Sequence, residues 1–464
     1  MSSPVTPRPA RVATVAAWAV FAVFFCNGFN FATWASRLPA VRDQLGFAEA
    51  EMGLLLLSIA VGSILAMPLS GLVVERLGAS RTIVLFALVN TVGLVTTVFA
   101  VDAGADWVVR VALFVTGIGT GVWDAAMNLE GAAVEQRLGR AIMPRFHAGF
   151  SFGTVAGAGV GALAAGLGLP LRWHVLVAVV VSLVGVLWSV RHFLPERDVH
   201  RAAVTAGART AEHASDGADP ATAVGTGGAG GAGRRRGGEA GRRAAGSALS
   251  AWTEPRTLLI GLIVLGAALT EGAANDWVSL AVVDGFGTDN ALGAVGLAVF
   301  LTAMTVMRLL GTGLLDRYGR VPVLRLSAGL ALAGLLVFGL APTLWLALVG
   351  VALWGTGAAL GFPVGMSAAS DDPQRAAMRV SVVATIGYSA FFVGPPLIGF
   401  LAHAVGYRYA LLVILVPVVV GLLVVGAARP LPTAAGGPAQ EGDGAAGGDA
   451  ARGDAASSGG RDSN

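Results

Sequence analysis

Two carboxylates stand out inside long apolar runs, where placing an ionisable group at the centre of a bilayer costs roughly 2.5–3.5 kcal/mol or more. Asp124 lies in the run 107–131 and Glu271 in the run 257–283. Asn128 follows the first acid and Asn275 the second at helical spacing, so each carboxylate shares a face with an amide. Gly117 and Gly121 precede Asp124 on the same face. A stripe that is small and then polar suits a helix lining a cavity between closely packed neighbours. A carboxyl there can load a proton from one side and lose it to the other as access alternates. The competing reading is a structural ion pair, with Asp124 or Glu271 bonded to Arg308 in the run 291–314. Asn27 and Asn30 are the polar groups that the first run offers to a solute. Trp34, Trp123 and Trp277 could stack on a ring-shaped solute or belong to the aromatic belt at the membrane interface.

The elements that must position these groups are membrane-spanning helices. Hydrophobic residues make up 55% of the 464-residue chain and charged residues 13%, against about 25% charged in a globular protein. Apolar stretches long enough to cross ~30 Å of hydrocarbon recur at 12–35, 49–75, 81–101, 107–131, 146–168 and 172–193. A second set follows at 257–283, 291–314, 322–341, 344–368, 377–403 and 407–428. The first is too long for a cleaved signal segment and is read as a retained span. The predicted fold is an all-α integral membrane protein of twelve helices in two six-helix halves, 12–194 and 251–428. Between them, 195–250 is rich in Gly, Ala and Arg and reads as a disordered linker; the low-complexity tail 429–464 reads as disordered too, and the start 1–11 as a short polar N-terminus.

All 31 basic residues are arginines. With the N-terminus inside, most of them fall on the inner side, including Arg137, Arg145, the linker cluster Arg234–Arg236 and Arg325. The positive-inside rule then makes both termini and the linker cytoplasmic in a bacterial-type inner membrane. A chain without Lys has no Walker-type phosphate loop, and neither a cofactor motif nor a His/Cys metal cluster is visible. The single cysteine, Cys26, rules out an internal disulfide. The arginine-rich linker needs no nucleic acid to explain it. The expected partners are a small-molecule substrate, protons and membrane lipid, with the chain acting as a monomer.

An internal repeat ties the halves together. Trp34-Ala-Ser36 is echoed by Trp277-Val-Ser279, Glu75-Arg76-Leu77-Gly78 by Asp316-Arg317-Tyr318-Gly319, and Gly117-Ile-Gly119 by Gly355-Thr-Gly357. The acid-Arg-x-Gly turns after the second and eighth spans resemble the signature of the major facilitator superfamily. The first copy runs from Gly71 through Glu75, Arg76 and Gly78 to Arg81, with Glu75 for the usual Asp. The second keeps Asp316, Arg317, Gly319 and Arg320 but has Thr312 for the first Gly. The stretches Trp123–Glu130 and Thr270–Trp277 resemble its YbjJ-like branch, related to fucose–proton symporters.

The resemblance implies a secondary transporter, not an enzyme, with its site near the midplane between the halves. It implies that the two turns act as gates that latch the outward-facing state and release on inward opening. Fucose symporters carry a protonatable acid before a similar Ala-x-Asn in the fourth helix, which strengthens Asp124. Their second acid, in the first helix, has no counterpart here, which shifts weight to Glu271. The leading expectation is proton-coupled symport of a small polar, sugar-like solute. The alternatives are proton-coupled efflux of a drug or metabolite and, outside the class, a non-transporting receptor or sensor.

Overall fold

The computed structural model describes residues 8–139, 142–194, 250–372 and 375–431. Almost all of the predicted linker and tail lie outside the described residues. Among the described residues, twelve helical spans are long and apolar enough to cross a membrane. Spans 1 to 6 are Val12–Leu45, Glu49–Leu77, Ala79–Asp102, Asp106–Leu138, Met143–Gly166 and Leu171–His192. Spans 7 to 12 are Pro255–Phe286, Asn290–Tyr318, Arg320–Leu340, Leu344–Ala369, Met378–Val405 and Tyr407–Ala428. Helices are the natural solution because each satisfies its backbone internally where no water can. Most run a few residues past the apolar windows, since the helix continues into polar flanks after the hydrocarbon ends.

Two breaks were not expected. Span 1 turns at Ser36 and Arg37 and resumes as a short helix, Leu38–Leu45, with Pro39 in its first turn, where a missing N–H costs nothing. Span 10 consists of Leu344–Ala358 and Gly361–Ala369. The carbonyl of Ala359 at that break accepts from Arg308 Nε at 3.3 Å, so a side chain makes the bond that the helix gives up.

The repeat read from the sequence is a repeat of packing. Gly117 abuts the backbone of Ile59 in span 2, and Gly119 that of Asn90 in span 3. Their echoes do the same one half later: Gly355 meets Phe300 in span 8, and Gly357 meets Ala331 in span 9. A Cβ at any of the four would strike facing backbone, so glycine sets how closely these helices approach. Spans 1 and 5 pack in the same manner, with Gly28 against Phe150 and Gly153 against Phe25. Contacts between the halves run mainly along spans 5 and 8 and along spans 2 and 11.

Successive spans alternate in direction. The end where span 1 begins is called the near end and the opposite one the far end. At the far end Arg408 donates to the carbonyls of Gly285, Gly339 and Ala341, drawing span 12 onto the C-termini of spans 7 and 9, where a cation is favoured. At the near end Arg256 reaches Asp371 at 2.9 Å and the carbonyls of Ala427 and Arg429.

Candidate functional site

Asn27, Asn30 and Trp34 project from one face of span 1 into a cavity of about 270 Å³ between the halves. Asn30 Nδ2 donates to Asn90 Oδ1 at 3.1 Å, and Asn90 Nδ2 donates to Thr120 Oγ1 at 2.9 Å. Thr120 in turn donates to the carbonyl of Thr116 at 3.0 Å. This ladder crosses spans 1, 3 and 4 and fixes the amides, because a buried polar group left unmatched is costly. Asn27 Nδ2 and Asn30 Oδ1 are without partners among the described residues. Trp123 closes the wall from span 4, while Asp276, Tyr388, Phe391 and Pro395 face it from spans 7 and 11.

The acids divide into two kinds. Glu271 Oε2 accepts from Arg308 Nη2 at 2.8 Å, the pair kept open as a structural reading. Arg308 thereby joins spans 7, 8 and 10. Asp124 follows Trp123 on span 4, within electrostatic range of Tyr388 across the halves. Among the described residues its carboxylate has no hydrogen-bond or ion-pair partner. Asp276, which lines the cavity, is equally unpartnered among the described residues.

Of the residues singled out in the sequence, the cavity brings together Asn27, Asn30, Trp34 and Trp123; Asp124, next in the chain to Trp123, is not among its lining residues. The others lie apart. Asn128 donates back to the carbonyl of Asp124 at 2.9 Å, and Asn275 is buried at 8% exposure, away from the cavity lining. Trp277 is fully buried against Tyr407, ring centroids 5.4 Å apart, in the packing of its own half. It belongs neither to the cavity nor to an interfacial belt. Sequence reasoning missed Asp276, Asn90, Thr120 and Tyr388. Asp276 was legible as an acid within an apolar run, and Asn90 as a lone amide in span 3.

At the gating turns Gly78 and Gly319 take φ of 80° and 76°, a backbone region that only glycine enters freely. Gly71 is exposed with open space where a Cβ would stand. Glu75, Arg76 and Asp316 are exposed and unpartnered among the described residues. Arg317 lies over the Tyr318 ring at 5.3 Å, and Arg320 pairs with Asp371 at 2.5 Å within its own half. Among the described residues, the turns therefore make no bond across the halves. The far end is joined instead: Arg42 pairs with Asp284, Ser279 Oγ donates to the carbonyl of Ala35 at 3.3 Å, and His403 meets Glu49 at 3.2 Å.

Twelve spans in two repeated halves around a shared central cavity define a membrane carrier of the transporter class. The family model of the Major Facilitator Superfamily matches residues 20–371 and 260–450, and the chain belongs to that family. It is 32% identical over 409 residues to the transporter y4wD of Sinorhizobium fredii, covering 86% of this chain and 97% of that one. Among solved structures it shares the fold of the nucleoside transporter NupG, at 16% identity and a TM-score of 0.63, covering 90% and 98% of the two chains. A D-xylose–proton symporter aligns at 13% identity and a TM-score of 0.63, covering 90% and 97%.

Proposed function

We propose that this transporter moves a small polar solute by alternating access in symport with protons, with both termini in the cytoplasm of a bacterial-type inner membrane. The observation that carries the reading is the amide ladder Asn30–Asn90–Thr120 on the cavity wall, with the unpaired carboxylate of Asp124 about one helical turn beyond Thr120 on span 4. Amides offer donors and acceptors to a hydroxyl-rich ligand, and an unpaired acid within the bilayer offers a seat for a proton. The shared fold with carriers named for nucleoside transport and D-xylose–proton symport points the same way. Glu271 takes part through its pair with Arg308, a proton competing with the guanidinium for the carboxylate. The aromatic walls from Trp34, Trp123, Tyr388 and Phe391 favour a second reading, proton-coupled efflux of a less polar metabolite.

Metabolite profiling of a deletion strain against an overexpressor, inside and outside the cell, identifies the solute and its direction. Uptake of that solute into proteoliposomes with and without an imposed pH gradient then tests the coupling. Asp124→Asn is expected to lose gradient-driven accumulation while keeping exchange. Glu271→Gln does the same if it couples; if its pair is structural, Glu271→Gln and Arg308→Gln both lower membrane abundance instead. An unchanged response to the gradient in Asp124→Asn and Glu271→Gln would remove both carboxylates from the coupling.

A further inference from the structure

Among the described residues that line the cavity, Asp276 is the one charged side chain, and neither Arg nor His is present. Glu271, five residues earlier on the same span, has its cation built in at 2.8 Å. Asp276 has none among the described residues. A carboxylate kept from bulk water without a counter-charge is costly, so it holds either a proton or a cation that arrives from outside. The walls around it select between these. Trp34, Trp123, Tyr388 and Phe391 border the same space, and aromatic faces attract organic cations. Asn27 and Asn30 line the same space, and the ladder fixes the Asn30 amide. An ammonium has only donors to give, and this wall offers it acceptors and π-faces. An anionic solute would meet a carboxylate that no basic residue offsets among the described lining residues. The volume of about 270 Å³ lies below the roughly 300–1,000 Å³ of drug-sized sites, which suits a metabolite.

We propose that the cavity takes a small solute bearing a protonated amine or quaternary ammonium group, and that Asp276 is the carboxylate that binds it. This rests on the reading of the cavity as the transport site, and the closing experiment separates the two. In the full chain reconstituted in nanodiscs, with Cys26→Ser and Ser63→Cys, a single thiol lines the cavity. Its modification rate is measured with neutral, trimethylammonium and sulfonate methanethiosulfonates, each relative to a free thiol in solution. The cationic reagent is expected to outpace the anionic one by about tenfold or more, from Coulomb attraction in a low-dielectric site. Asp276→Asn should collapse that preference by about tenfold, and Asp276→Glu should retain it. Tetramethylammonium ion should slow the cationic reagent in the Asp276 parent and leave the Asn variant unaffected. A charge preference unchanged by Asp276→Asn, or no protection by tetramethylammonium in the parent, overturns amine recognition and leaves Asp276 a proton site. If even the neutral reagent fails to reach Ser63→Cys, the transport-site reading itself falls. Asp276→Ser serves as a second neutral variant should Asp276→Asn not yield folded protein by size-exclusion profile.

Discussion

The two ends of the bundle spend their polar groups differently. At the far end, bonds cross from one half to the other: Arg42 to Asp284, Asn290 to Asp43 at 3.4 Å, His403 to Glu49. At the near end, the C-terminal half is tied to itself, through Arg256 and Arg320 on Asp371 and through Arg379 on Glu254. The signature acids Glu75 and Asp316 stand free there among the described residues. A carrier that rocks needs two rigid halves and a contact that can be exchanged between ends. Here the far end holds that contact while near-end bonds stiffen one half. Among the described residues, Glu75, Arg76 and Asp316 make no bond across the halves in this arrangement.

The largest effect is expected where the far-end contact is steric. A Cβ on Gly53 would stand 2.6 Å from the carbonyl oxygen of Pro395 and 3.2 Å from Cα of Gly399, so spans 2 and 11 would have to part. Gly53→Val should cut transport by more than about tenfold at normal membrane abundance, by denying the far-closed state. Gly71→Val at the near end meets open space and should leave this state intact. Should Gly71→Val also abolish transport, the near end must close tightly on Gly71 later in the cycle, which would supply the missing half of the comparison. Wild-type transport in Gly53→Val would remove the far-end crossing from the mechanism.

The electrostatic part of the far-end contact is weaker. Arg42 and Asp284 form a partly exposed pair, and such pairs contribute about 0.2–1 kcal/mol. Asp284→Asn should therefore raise the reactivity of a thiol at Ala35→Cys, in a Cys26→Ser background, by roughly two- to fivefold. High salt should shrink the difference. An equal effect from Asp102→Asn would dissolve the comparison, since Asp102 pairs with Arg172 inside one half.

Most of the scaffold was legible in the sequence, because a run of apolar residues sized to a bilayer leaves few structural options. All twelve spans lie where the runs lie, and the glycine pairs of the repeat pack as counterparts. The site was legible in part. Asn27, Asn30, Trp34 and Trp123 were found because each is polar or aromatic against an apolar background. Asp276 was passed over because the four-residue spacing drew attention to Glu271 and Asn275. Five residues turn a helix by roughly 140° beyond a full turn, so Asp276 faces another direction from Glu271. Which face meets the cavity is set by how two halves dock, and no local pattern carries that. Asn90 was missed for the same reason, its role residing in Thr120 and Asn30 on other spans.

The smallest expected effect tests whether near-end bonds serve only rigidity. Glu254, just ahead of span 7, accepts from Arg379 at 2.6 and 2.8 Å. The Arg379 guanidinium holds its carboxyl below the usual carboxylate range, with Thr257 adding a further hydrogen bond. A carboxyl depressed in the folded state stabilises that state at pH above its unfolded value, about 4.3. The contribution is lost as pH falls through the lower folded value. Thermal stability of the purified protein should thus carry a constant contribution from this pair between pH 5 and 8 and lose it only in stronger acid. Glu254→Gln should lower the melting temperature by a small, constant amount across pH 5–8, with the gap to wild type closing in stronger acid. Transport at neutral pH should barely change, because the bond stays inside one half. A gap that varies between pH 5 and 8 would assign the pH dependence to another group. A large transport defect in a stable Glu254→Gln protein would mean that the near-end network moves during the cycle, and the division of labour between the two ends would have to be abandoned.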